Sequence, residues 1–229
     1  MITDGKPHRV ALYFTPPPGD PLGEAAARWL GRDVWGADTD VYRAGNYTET
    51  ARRYGFHATL KAPFRLVQGK SLDGLQRGLD DFTGARAAFR MPGLSIGRLG
   101  PHFALVQEDG GDDAMSTFAA ALVQAFEPFR APLTEAEVAR RRQVGLDARE
   151  DANLRRYGYP YVLDTFRFHM TLAGPVPEAD REGVGATLRR RFATHLGKPV
   201  SVTAVTLFVE DAPGDAFRAV SRHTLLGPV

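Results

Sequence analysis

The chain has 229 residues, 43% hydrophobic and 24% charged, with a formal net charge of +2. That length can bury a sizeable core, no apolar run approaches the roughly 18 residues of a membrane span, and the charge is too mild for a duplex-DNA footprint. With no cysteine, disulfides, zinc–thiolate centres, iron–sulfur clusters and thiol nucleophiles are excluded, so any chemistry must use histidines, carboxylates, hydroxyls and cations.

Met1–Lys6 lacks the apolar stretch and small-residue cleavage site of a secretory leader, so a cytoplasmic location is expected. Arg9–Phe14 reads as a strand, stopped by Pro16-Pro17-Pro18-Gly19-Asp20-Pro21, and a helix follows from Leu22 to Leu30. Trp35–Arg53 has no clear period and reads as a loop leading into a strand over Phe56–Leu60, which Pro63 should close or bend. Ser71 is placed to cap a helix carrying Leu72, Leu75, Leu79 and Phe82 at helical spacing. Strands over Ala88–Leu99 and His102–Glu108 should join at Gly100-Pro101, followed by a polar loop at Asp109–Asp113 and a helix from Met115 to Phe126. Residues 133–160 read as an inserted helical segment, opened by a capping signal at Thr134 and Glu137 and rich in arginine. A second motif strand through Leu172, a helix over Glu178–His195 ended by Gly197, and a hairpin of Val200–Val209 with Phe217–Leu225 complete the chain. Two similar halves of alternating helices and strands predict one bilobal α+β domain over 1–229, with pseudo-twofold symmetry and a cleft between the lobes.

Two segments read almost alike: Tyr54-Gly55-Phe56-His57-Ala58-Thr59-Leu60 and Phe166-Arg167-Phe168-His169-Met170-Thr171-Leu172. In a strand, side chains alternate between faces. His57 and Thr59 therefore share one face and His169 and Thr171 another, while Ala58, Leu60, Met170 and Leu172 turn to a core. A single His-x-Thr occurs by chance, but two copies 112 residues apart in the same apolar context predict a pair of imidazoles and hydroxyls around one anion.

These paired motifs resemble those of the two-histidine (2H) phosphoesterase superfamily, which includes the RNA ligase-like 2′-5′ proteins and cyclic phosphodiesterases. Within it, Tyr54 to Phe64, Phe129-Arg130-Ala131-Pro132-Leu133 and Tyr157-Gly158-Tyr159-Pro160-Tyr161-Val162 resemble the phosphonate-metabolism branch encoded beside carbon–phosphorus lyase genes. The resemblance implies two antiparallel sheets flanking a central cleft with helices outside, and His57, His169, Thr59 and Thr171 as catalytic residues. It also implies a small-molecule cyclic phosphate as substrate, phosphoribosyl 1,2-cyclic phosphate above others. The alternatives are an RNA 2′,3′-cyclic phosphodiesterase or 2′-5′ ligase-like enzyme, and a non-catalytic nucleotide-binding module.

Opening a cyclic phosphodiester needs a base, an acid and donors for the phosphoryl oxygens, and imidazole suits both proton roles at neutral pH. His57 is provisionally the acid and His169 the base; the symmetry of the site leaves the direction open. Strand alternation offers Arg167 and Lys61 as phosphate clamps, and Tyr54, Tyr159 and Tyr161 as hydroxyls or stacking surfaces. The arginine-rich insert is either a solvated face or a lid from which Arg141 or Arg155 reaches a second phosphate. His8, His102, His195 and His223 are taken as non-catalytic. No metal, cofactor, DNA or membrane partner is expected, and the chain should act as a monomer.

Overall fold

Asp20 accepts hydrogen bonds from the amides of Leu22 and Gly23, and Pro21 occupies the first turn, so the helix α1 (Pro21–Leu30) starts where the proline cluster ends the first strand, β1 (Arg9–Phe14). The computed structural model describes residues 7–36, 47–108 and 114–227. Met1–Lys6, residues 37–46 of the expected loop, the expected polar loop Asp109–Asp113 and residues 228–229 lie outside the described residues.

The chain continues through α2 (Glu49–Tyr54), β2 (Ala58–Phe64), α3 (Leu72–Thr83), β3 (Phe89–Met91), β4 (Leu94–Leu99), β5 (His102–Gln107) and α4 (Ala114–Ala125). The insert contributes α5 (Glu135–Arg142) and α6 (Ala148–Tyr157), and β6 (His169–Ala173), α7 (Arg181–Phe192), β7 (Val200–Val202), β8 (Ala204–Glu210) and β9 (Arg218–Thr224) follow. The fold is α+β with two antiparallel sheets of unequal size. Seven strands form one in the order β4-β5-β6-β2-β1-β8-β9, and β3 and β7 form the other. The motif strands β2 and β6 are neighbours in the large sheet, joined through the pair Ala58↔Met170.

Alternation sorts the two faces of the sheet. Val10, Leu12 and Phe14 of β1 enter the main core with Leu207 and Val209 of β8, Leu75 and Leu79 of α3, Leu122 of α4 and Leu188 of α7. Each such buried aliphatic or aromatic side chain contributes roughly 1.5–3 kcal/mol over leaving it in water. Ala11 and Tyr13 turn the other way, to Phe208 and Phe217. Helices thus cover one face, and His57 and Thr59 belong to the other.

Four elements depart from the sequence reading. Glu49–Tyr54 is a helix rather than loop; the carbonyls of Arg52 and Arg53 at its end accept from the Arg32 guanidinium at 2.7 and 2.9 Å. β2 starts at Ala58, just after His57, and runs through Pro63. The proline is tolerated because the ladder to β1 is already irregular there, with Leu12 opposite Lys61 and Val10 opposite Phe64. The expected strand over Ala88–Leu99 breaks at Pro92-Gly93, where a Cβ on Gly93 would lie 2.5 Å from the backbone of Gly197, so β3 leaves the large sheet to pair with β7. The last helix stops at Phe192 rather than His195.

Candidate active site

His57 is aimed by a backbone turn. Gly55 ends α2 at φ +76°, where a Cβ would also strike Val34 at 2.1 Å, and its carbonyl accepts the His57 Nδ1–H at 2.9 Å. His169 repeats the device, its Nδ1 donating to the Arg167 carbonyl at 2.8 Å. A carbonyl oxygen only accepts, so both Nδ1 atoms carry a proton, and Nε2 of each ring is left to accept when the ring is neutral and to donate when it is charged. Buried side chains fix the segments from behind. Thr15 donates to the Phe56 carbonyl at 2.7 Å, and the Trp29 indole donates to the Leu172 carbonyl at 2.9 Å.

The antiparallel register through Ala58↔Met170 sets the four motif residues crosswise, with His57 opposite Thr171 and Thr59 opposite His169. All four are half-buried, whereas Ala58 and Met170 are buried in the core on the other face. The Thr59 hydroxyl lies 3.2 Å from His57 Nε2 and, when that ring is neutral, donates to it. Burial, partly offset by the Gly55 carbonyl and reinforced by His169, brings the His57 imidazole down to about 4. The two imidazoles therefore feel one another.

Tyr13 was not singled out in the sequence, yet its ring stacks on His57 with centroids 3.8 Å apart. Its one signal is that it stands out of phase with Leu12 and Phe14; the pairing of β1 with β2 that brings it to His57 has no local signature. Its hydroxyl, the Thr206 hydroxyl and Arg222 Nε are buried without a hydrogen-bond partner among the described residues. They come from a single row of the sheet, where Tyr13 pairs with Thr206 and Thr206 with Arg222.

Tyr54 joins the site, 6.2 Å from His57 and stacked on Phe217 at 5.2 Å. Tyr161, 39% exposed, meets Tyr159 edge-on at 5.5 Å, and the Arg141 guanidinium lies 5.9 Å over the Tyr159 ring. Burial pushes the Tyr159 phenol up to about 12, and Tyr54 and Arg141 both act on it electrostatically. Arg167 is exposed and close enough to Tyr161 to influence it. Arg155 does not reach the site; it pairs with Asp151 at 2.9 Å on the surface.

Lys61 is a correction. Tyr13 pairs with Thr59 but Leu12 with Lys61, so an extra residue at this point of β2 breaks the alternation. Lys61 consequently shares the core face with Leu12, where its ammonium, 2% exposed as a residue, donates to the Val123 carbonyl at 3.1 Å and to Glu127 at 2.8 Å. It is not available as a phosphate clamp.

Residues 59–218 match the family model described as "Protein of unknown function (DUF1045)". The chain belongs to that family. The match takes in Thr59, Arg141, Arg167, His169 and Thr171 and begins two residues after His57. Two curated relatives are named "Ribose 1,5-bisphosphate phosphokinase PhnN". The one from Janthinobacterium sp. (strain Marseille) is 38% identical over a 225-residue alignment that covers 91% of this chain and 49% of that protein. The one from Laribacter hongkongensis (strain HLHK9) is 33% identical over a 223-residue alignment that covers 92% of this chain and 50% of that protein. The chain spans about half the length of these relatives. The crystal structure of E. coli LigT complexed with 3′-AMP is similar at 16% identity and a TM-score of 0.48, over 97% of this chain and 100% of that one, a score from which neither fold nor activity follows. Among the described residues, no helix is long and apolar enough to cross a membrane.

Proposed function

We propose that the chain is a phosphoric diester hydrolase that opens a small cyclic phosphate without a metal ion, with phosphoribosyl 1,2-cyclic phosphate in phosphonate catabolism as its substrate. The observation that carries this reading is the crosswise quartet, two imidazoles with Nδ1 held by a backbone carbonyl and two hydroxyls on one face of the central strands. The 2H resemblance of its motifs agrees, and so does the ribose bisphosphate in the relatives' name.

His57, neutral at pH 7 because burial depresses it, serves as the base, the reverse of the provisional sequence assignment. As substrate arrives, the Thr59 hydroxyl turns from His57 Nε2 to a phosphoryl oxygen and frees the nitrogen to take a proton from water. The water oxygen forms a bond to phosphorus, the opposite ring P–O bond breaks, and protonated His169 gives its Nε2 proton to the departing oxygen. Thr171 holds the second phosphoryl oxygen. One water is consumed and a phosphomonoester is released.

The kinase in the relatives' name concerns proteins twice this length. Gly69-Lys70-Ser71, between β2 and α3, is the end of a nucleotide phosphate loop in pattern, but the pattern requires glycine at position 64, where Phe64 is buried in the core. Ser71 is occupied as a helix cap, accepting from the Gly74 amide. A second reading, an RNA end carrying a 2′,3′-cyclic phosphate, draws on Tyr159 and Tyr161 as a stacking platform.

The test is hydrolysis, in the presence of chelator, of phosphoribosyl 1,2-cyclic phosphate and nucleoside 2′,3′-cyclic phosphates by the wild type, His57→Ala and His169→Ala. Each variant should lose on the order of 10²–10⁴-fold in kcat. Turnover that survives either substitution overturns the two-histidine mechanism, and turnover confined to nucleotides moves the substrate to RNA ends.

A further inference from the structure

Most guanidiniums of this chain are satisfied. In and around the insert, Arg65 grips Glu137, Arg142 grips Asp151, Arg130 grips Glu127, Arg149 pairs with Asp164 and Arg155 with Asp151. Arg141 differs. Among the described residues it is the half-buried arginine with neither an ion pair nor a hydrogen-bond acceptor, and its guanidinium lies 5.9 Å over the face of Tyr159. Burial lowers its proton affinity, and the carboxylate that acts on it from a distance, Glu137, is already held in two bonds by Arg65 at 2.6 and 2.9 Å. A desolvated cation without a counter-charge is costly, and the cost is recovered when an anion arrives.

The position is also rigid. Thr134 and Glu137 form a capping box that starts α5. Glu137 is tied to Arg65 just beyond β2, and Arg142, next to Arg141, is tied to Asp151 of α6 at 2.6 and 3.0 Å. Helix α5 is clamped at both ends, so Arg141 is presented as a fixed group rather than on a moving lid. Tyr159 lies near enough to the reaction centre to act electrostatically on Tyr13, whose ring stacks on His57 at 3.8 Å, and to be acted on by Tyr54, whose ring lies 6.2 Å from His57. Among the described residues no contact links Arg141 to either imidazole; the ring it faces is that of Tyr159.

We infer that Arg141, walled by Tyr159, is a preformed subsite for a second phosphate, a terminal monoester on the same small molecule whose cyclic phosphate lies at His57 and His169. This rests on the proposed diesterase reading and assigns a binding group to the second phosphate that the proposed substrate carries. A planar guanidinium in a partly desolvated site binds a phosphate monoester in two parallel bonds, and the subsite thereby selects against cyclic phosphates that lack the second group.

The experiment compares ribosyl 1,2-cyclic phosphate with and without a 5-phosphate, in wild type, Arg141→Gln and the exposed neighbour control Arg140→Gln. The 5-phosphate should raise kcat/KM of wild type and of Arg140→Gln on the order of 100-fold, mostly through KM, and Arg141→Gln should reduce that preference to a few-fold. Circular dichroism of Arg141→Gln confirms that it folds, and Arg141→Lys should restore part of the preference. Calorimetric binding of the same two compounds gives the same ratio independently of turnover. If neither compound is hydrolysed but the binding ratio behaves as stated, the catalytic reading fails and the subsite stands. A wild-type ratio near one, or a ratio that survives Arg141→Gln, overturns the subsite. So does a cyclic-phosphate-ended oligoribonucleotide that binds more tightly than the sugar bisphosphate and depends equally on Arg141, since the cation then reads an RNA strand.

Discussion

His57 accepts a proton less readily in the folded chain than in the unfolded one, and this has a sign that can be measured. Its folded value is about 4 against a reference of 6.5. Above pH 6.5 both states hold it neutral and its full contribution to stability is present. Between 6.5 and 4 the unfolded chain binds a proton that the folded chain refuses, so stability falls as pH falls through this window. The difference at pH 5 is at most about 2 kcal/mol. Urea denaturation of wild type at pH 7 and 5 should show the loss, and His57→Phe, which keeps a ring against Tyr13, should show less of it. An equal loss in both proteins would mean that the imidazole is not desolvated as the structure has it. Glu137 is held near 2 by Arg65 and loses its contribution only below about 4.5, outside the range compared. The residue types of the quartet were legible in the sequence because His-x-Thr appears twice. The proposed proton roles were not, because they rest on the desolvation of His57, which a symmetric pair of motifs does not encode.

At the scale of elements, β2 shows where strand alternation stops being a guide. Alternation assigned His57 and Thr59 to one face correctly and then failed at Lys61, because a bulge adds a residue against β1 and nothing in Ala58-Thr59-Leu60-Lys61 announces it. The consequence is a cation inside the core, bound to Glu127, which Arg130 also holds at 2.6 Å. Lys61→Ala should cost about 2–4 kcal/mol by leaving Glu127 half-paired beside a cavity, whereas Lys61→Met, which leaves Glu127 with Arg130 alone but keeps the volume, should cost about 1 kcal/mol less. Turnover by the folded Lys61→Met protein should match wild type; a loss of 100-fold would return Lys61 to the substrate site. Helix α2 was missed for a related reason. Thr48 gives it no side-chain cap bond, and it is only six residues long, with carbonyls at its C-terminal end satisfied by Arg32 from outside the helix. The caps at Asp20, Ser71 and Thr134, by contrast, act within one turn of their own helix, and those helices could be read.

At the scale of the molecule, the large sheet is two ladders meeting at one pair. Reading outward from Ala58↔Met170 gives β2-β1-β8-β9 on one side and β6-β5-β4 on the other. β1 and β8 pair along five consecutive positions, Arg9↔Glu210 to Tyr13↔Thr206, so the middle of the sheet is less tied than its flanks. An anion held by Thr59 from one ladder and Thr171 from the other bridges that join. Saturating inorganic phosphate should therefore raise Tm and slow amide exchange at Ala58 and Met170 more than along β1 and β8. Uniform protection would mean that the anion binds elsewhere. The α+β class was visible in the sequence as two halves of alternating elements. That the halves share a sheet was not, since it depends on one contact between residues 112 positions apart (170 − 58).

The insert rests on α4 through an apolar cluster of its own, Val123, Tyr157 and Val162, separate from the main core. Its internal ion pairs involve none of the four motif residues. On the proposed reading, the residues that choose the substrate and those that move protons belong to different packing units, so selection can alter one while the other is held. On that reading, exchanging residues 133–160 between members of this family should change which phosphate ester is accepted and leave the proton chemistry as it is.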